Sequence, residues 1–105
     1  MDMQSLRGGT MTDKELLELA AKAAGIEIEW YAPNLEVWDF SQVPDWNPLT
    51  DDGDALRLAV KLRVSVHVDG NMTDVEDCTE AHLSDPYAAT RRAIVRAAAE
   101  IGKSL

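Results

Sequence analysis

The stretch DALRLAVKLRVSVHVD, residues 54–69, decides the fold. Every even position from Leu56 to Val68 is apolar, which taken alone is the alternation of one long half-buried strand. Its two halves nevertheless differ in kind. Asp54 to Arg63 consists of Ala, Leu, Arg, Lys, one Val and an opening Asp, mostly strong helix formers. On a helical wheel Asp54, Arg57 and Lys61 fall in one narrow polar stripe. Thr50, Asp51 and Asp52 ahead of it offer a cap and negative charge at the positive helix end. From Val64 onward β-branched residues alternate with polar ones. The stretch therefore reads as a helix over about 52–63 running directly into a strand at 64–69.

Outward from there, Asp69-Gly70-Asn71 is a hairpin turn signal, and Met72 to Asp77 pairs back. Cys78 to Ser84 reads as loop. Asp85-Pro86 supplies a cap and a proline at the first helical position for a helix over about 86–102. That helix is amphipathic, with Tyr87, Ile94, Ala97, Ala98 and Ile101 inward and Arg92, Arg96, Glu100 and Lys103 outward. On the N-terminal side, Thr12-Asp13-Lys14-Glu15 is a capping box that opens a helix over 13–24, and Gly25 stops it. Ile26 to Tyr31 alternates strictly, Ala32-Pro33-Asn34 turns the chain, and Leu35 to Phe40 returns as a second strand. Ser41 to Thr50, with Pro44 and Pro48, reads as a loop whose Trp46 packs on the core. Residues 1–11 read as a disordered leader, and 12–105 as a single α+β domain. The expected order is αββαββα, an antiparallel four-stranded sheet packed with three helices.

The charge is the strongest compositional signal. The 105 residues carry a net charge of −9, unevenly spread. Ile26 to Leu56 contains Glu27, Glu29, Glu36, Asp39, Asp45, Asp51, Asp52 and Asp54 and no Lys or Arg. Val64 to Thr90 contains Asp69, Asp74, Glu76, Asp77, Glu80 and Asp85, again without Lys or Arg. Apart from Arg7, every Lys and Arg falls in a segment read as helix. Such a surface repels phosphate backbones, so nucleic acid is not the expected partner, whereas a basic protein surface is. No apolar run approaches the ~20 residues that span a bilayer, so a membrane is not expected either. Cys78 is the single cysteine, so no intramolecular disulfide can form, which suits a reducing cytoplasm.

Catalytic chemistry finds little footing. Asp74, Glu76, Asp77, Cys78, Glu80 and His82 form the densest group of metal-ligating types, but there is no second Cys-His pair and no C-x-x-C; solvated loop acids are the expected reading, without metal or cofactor. Nothing flanking Cys78 and His82 prepares a nucleophile, base and oxyanion hole. Asp52-Gly53-Asp54 would repel phosphate, and Arg91, Arg92 and Arg96 read as a solvated helix face. The tryptophans Trp30, Trp38 and Trp46 are many for so short a chain, and an aromatic strand face left outside would mark a contact surface. The candidate partner-binding residues are Trp38, Asp45, Trp46, Asp51, Asp74 and Glu76.

At Trp46-Asn47-Pro48-Leu49-Thr50-Asp51-Asp52-Gly53-Asp54-Ala55-Leu56-Arg57-Leu58-Ala59, and again at Ala88 to Ala98, the chain resembles the short proteins of tailed phages and prophages of Gram-negative bacteria related to the phage ABA sandwich domain. The helix from Thr12 to Gly25 fits the same pattern, so the resemblance covers most of 12–103; the middle motif is the specific one. It implies a helix–sheet–helix sandwich, a phage or prophage origin and a place in the cytoplasm of the bacterial host. It carries over no catalytic residues. The function expected is that of a non-enzymatic accessory protein binding a host or phage protein, as an inhibitor of host defence would. The alternative is a small-ligand binding or sequestering protein; an enzyme comes last, and a homodimer is compatible with all three.

The helical reading of 52–63 has a direct consequence. Leu58→Pro should unfold the domain, since proline inside a buried helix costs ~3 kcal/mol or more. Loss of the cooperative transition in circular dichroism is the expected result.

Overall fold

A computed structural model of the chain describes residues 11–26 and 46–105. Among them are three helices and three strands. These are α1 (Asp13–Ala24), α2 (Asp52–Leu62), β1 (Val66–Val68), β2 (Met72–Val75), β3 (Cys78–Ala81) and α3 (Pro86–Lys103). The strands form one antiparallel sheet in the order β1-β2-β3. The mixed α+β class is as the sequence implies. The proposed leader, the hairpin over 26–40 and the residues Trp30, Trp38 and Asp45 lie outside the described residues, apart from Met11 and Ile26.

Helix boundaries follow from the caps. In α1 the Thr12 hydroxyl accepts from the Glu15 backbone N–H at 3.1 Å, and the Glu15 carboxylate accepts from the Thr12 N–H at 2.9 Å. Gly25 ends α1 at φ 73°, the left-handed conformation that glycine adopts without a Cβ penalty. Asp51 caps α2, accepting from the Asp54 N–H at 2.8 Å, and Asp85 caps α3, accepting from Ala88 at 3.0 Å. Helix α2 stops at Leu62 because Arg63 takes up the left-handed conformation at φ 58°, its N–H returning to Ala59 and Val60. This settles the reading of 54–69: the even-position alternation is interrupted at Arg63, and only Val66–Val68 pair as strand.

Sequence reading placed a loop at Cys78 to Ser84; the structure places strand β3 at Cys78–Ala81, with Val75 opposite Cys78 and Met72 opposite Ala81. The chain reverses in the two residues Glu76-Asp77, with Glu76 left-handed at φ 54°. No glycine marks that turn, so its sequence carries no hairpin signal. The β1–β2 turn does carry one. Its Asp69 carboxylate accepts from the N–H groups of Asn71 at 2.8 Å and Met72 at 2.9 Å, and these bonds, Asn71 foremost, hold the Asp69 carboxyl below the usual range. The sheet seen among the described residues is thus three-stranded, not four-stranded.

Helix α3 is the element the others share. It packs against α1, α2, β2 and β3, and buries Ala89, Ala93, Ile94, Val95, Ala97, Ala98, Ala99 and Gly102. Enclosed over much of its circumference, α3 keeps the expected outward face only at Glu100 and Lys103, which are exposed. Tyr87, expected inward, is instead 70% exposed, in the first turn of α3, which buries no residue before Ala89. Arg91, Arg92 and Arg96, expected on a solvated face, are each half-buried and each bind another element. Arg91 donates to the Leu49 carbonyl at 2.8 Å and to Asp52 at 2.6 Å; Arg92 to Asp13 at 2.9 Å; Arg96 to Glu80 at 2.7 Å and to the Thr79 carbonyl at 3.0 Å.

The contact between α1 and α3 is the tightest. Small buried residues line both helices, Ala20, Ala21 and Ala24 on α1 and Ala98, Ala99 and Gly102 on α3, and at Gly102 the two backbones nearly touch. A Cβ on Gly102 would stand 2.1 Å from the Leu19 carbonyl oxygen. The obstacle is backbone, so α1 itself would have to move. Gly102→Ala should therefore lower stability by about 2 kcal/mol in urea denaturation, although alanine ordinarily stabilises a helix relative to glycine by up to ~1 kcal/mol. Unchanged or higher stability would show that the helices separate without cost.

Candidate functional site

Three local decisions of the chain open a cleft of about 630 Å³. The left-handed Arg63 turns the chain away from the end of α2 and brings Val64 and Ser65 beside the sheet. The tight Glu76-Asp77 turn projects two acids on the facing side, and the last turns of α3 present Ala97, Glu100 and Ile101. The turn is anchored to the α2–β1 link: the Glu76 carboxylate accepts from the Ser65 N–H at 2.7 Å, and the Glu76 N–H approaches the Ser65 carbonyl at 3.4 Å. Cys78 lines the cleft as the first residue of β3.

The lining joins apolar surface from Leu62, Val64, Ala97 and Ile101 to a rim in which Glu76, Asp77 and Glu100 outnumber Arg63 and Arg96. Not all of these charges are equally available. Arg96 is held by Glu80 and the Thr79 carbonyl, and Glu100 pairs with Lys103 at 3.3 Å in an exposed contact of small energetic weight. Asp77 and Arg63 are both exposed, and neither has an ion-pair partner among the described residues. The Cys78 thiol is pushed up by burial, an effect that Arg96 opposes and that Glu100, Asp77 and Glu80 reinforce. A thiol so placed is a poor nucleophile and a small apolar contact.

A second cleft, about 220 Å³, lies where β3 leads into α3, lined by Glu80, His82, Ser84, Asp85 and Arg92 among others. His82 is buried, and its Nε2 lies 2.9 Å from the Thr73 hydroxyl, which in turn lies 2.8 Å from that of Thr90. This pairs a hydroxyl with an imidazole, but Thr73 is fully buried and no substrate can reach it. The network instead ties β2, the β3–α3 link and α3 together, satisfying polar groups that would otherwise be costly to bury.

Of the candidate partner-binding residues, the four that are described do not share one site. Trp46 is half-buried and packs on the core. Asp51 is the α2 cap, and Asp74 accepts from the Thr79 hydroxyl across the β2–β3 pair. Of the four described candidates only Glu76 lines the larger cleft. Asp77, Glu100 and Ile101 were missed because they meet only through the turn and the far end of α3; their common signal, an acid pair at 76–77 without glycine, reads equally well as solvated loop. The polar residues of the motif at 46–54 are likewise occupied locally. Asn47 accepts from Leu49 through its side chain and from Thr50 and Asp51 through its carbonyl, while Asp54 accepts from the Asn47 N–H and from Arg57. Among the described residues no three or more His, Cys, Asp or Glu side chains are grouped to hold a metal ion, and no helix is long and apolar enough to cross a membrane.

No family model matches the chain, and comparison with characterised proteins and with solved structures likewise finds no match.

The placement of Cys78 is open to a direct check. Because the fold favours the neutral thiol, alkylation at pH 8 should run at least about tenfold slower than in the urea-unfolded chain. The same preference stabilises the fold below the thiol's ordinary pKa and fades as pH rises through that range, so stability should fall on the alkaline side. Equal alkylation rates in native and unfolded protein would place the thiol at the surface.

Proposed function

We propose that this chain is a non-enzymatic accessory protein of a tailed phage or prophage, acting in the cytoplasm of the bacterial host, where it holds a basic segment of a host or phage protein. Inhibition of a host defence enzyme is the role such binding would serve. The observation that carries the reading is the cleft between α2, the Glu76-Asp77 turn and α3, where apolar residues stand beside three acids and two arginines in a protein of net charge −9. The excess of acids draws a cationic partner at long range, and the apolar residues accept those between its cations. The phage assignment, and with it a four-stranded helix–sheet–helix sandwich, rests on the sequence resemblance at 46–59 and 88–98. A cleft of about 630 Å³ falls within the size of small-molecule sites, which supports a sequestering protein as the second reading.

The test uses a fluorescent peptide of alternating Lys and Leu, read by anisotropy. Binding should weaken by about tenfold or more between low and physiological salt. Asp77→Asn with Glu100→Gln should weaken it severalfold at unchanged stability. Asp51→Ala, which removes a helix cap away from the cleft, should cost about 1 kcal/mol of stability and leave binding intact. Salt-independent binding, or binding indifferent to the rim acids, would overturn the acidic-cleft reading; a small metabolite released on denaturation would favour the second.

A further inference from the structure

Five charged side chains line the larger cleft: Arg63, Glu76, Asp77, Arg96 and Glu100. Three of them already have partners. Glu76 accepts from the Ser65 N–H, Arg96 donates to Glu80 and to the Thr79 carbonyl, and Glu100 accepts from Lys103. Arg63 and Asp77 remain. Both are exposed, and among the described residues neither forms an ion pair, with the other or with any third group. Their signs are opposite. A ligand that is basic throughout would satisfy Asp77 and bring its other cations against Arg63, an arrangement that like charges oppose.

The backbone sets Arg63 at this place. It ends α2 in the left-handed conformation at φ 58° and ψ 39°, where glycine is the usual residue because a Cβ is disfavoured. An arginine there keeps a guanidinium at the cleft at some cost in backbone strain. We infer that the segment bound in the cleft carries an acidic residue among its basic and apolar ones, the acid pairing with Arg63 and a cation with Asp77. This rests on the reading of the cleft as a site for a basic segment, and adds a direction to it. Two opposite charges at separate points of one cleft favour one orientation of the segment over its reverse. The occupant is a partner chain. Residues 27–45 of this chain carry Glu27, Glu29, Glu36, Asp39 and Asp45 and no Lys or Arg, so they contain no cation for Asp77.

The test starts from the Lys-Leu peptide and replaces its lysines by glutamate one at a time, with affinity for the full chain read by anisotropy. For a protein of net charge −9 each such change lowers the overall attraction and by itself weakens binding. With Arg63 receiving the acid, one position should instead bind about threefold tighter than the all-basic parent, and the others more weakly. Arg63→Lys should keep that preference. Arg63→Gly, which leaves the left-handed position to its usual residue, should abolish it and bind the parent peptide more tightly, with helix content unchanged in circular dichroism. A parent peptide whose binding depends on Asp77 and Glu100 while no glutamate position is favoured would overturn this inference and leave the basic-segment reading standing. A preference that survives Arg63→Gly would do the same. Absence of binding by every peptide would overturn both. If Arg63 served only the end of α2, where a cation meets the negative end of the helix dipole, Arg63→Gly would lower stability and leave all peptide affinities unmoved, which would also overturn the inference.

Discussion

The near-contact of two helix backbones at Gly102 sets the terms for the rest of the molecule. Helix α1 can lie against α3 only because the facing positions are alanine and glycine, and Leu19 comes close enough that even a methyl group at 102 has no room. Small residues bury little area each, so an interface of this kind is stabilised by closeness and by the many dispersion contacts that closeness allows. It also consumes the volume a larger core would use. Among the described residues the largest fully buried side chains are Leu17, Leu58, Val75 and Val95, one on each of α1, α2, β2 and α3.

A helix enclosed on so many sides must place its polar residues where neighbours can use them. The three arginines of α3 do this by reaching past the alanine surface, each to a different element: Arg91 to the start of α2, Arg92 to the start of α1, Arg96 to β3. Two of these pairings put the guanidinium against an acid in the first turn of another helix, where the negative charge is already favoured by the helix dipole. Exposed ion pairs contribute modestly to stability, about 0–1 kcal/mol each. Their value here is in register, since each fixes how a neighbouring element sits along α3.

The acids show the converse economy. In a chain of net charge −9 a carboxylate is easily taken for a solubility device or a docking charge, yet Asp51, Asp54, Asp69, Asp74, Glu76 and Asp85 all accept hydrogen bonds from within the protein. Most of these bonds end a helix or close a turn. Among the described residues Asp77 accepts no such bond, and it stands at the cleft beside apolar surface.

The sequence by itself determined the α+β class, the three helices to within a residue or two and the hairpin at Asp69-Gly70-Asn71. All of these rest on interactions within a few residues: capping hydroxyls and carboxylates, a glycine with positive φ, or an apolar residue at helical or strand spacing. Only the tertiary structure decided the third strand, the enclosure of α3 and the cleft. Strand β3 follows a turn whose left-handed residue is a glutamate, held by the Ser65 N–H eleven positions away, so no local signal announces it. The arginines of α3 looked solvated because the periodicity of one helix says which face is apolar but not how many neighbours surround it. The cleft joins Arg63, Asp77 and Glu100, residues distant in sequence that lie together only once α3 has passed between the sheet and α1, and that passage depends on a contact of backbone with backbone which side-chain patterning does not encode.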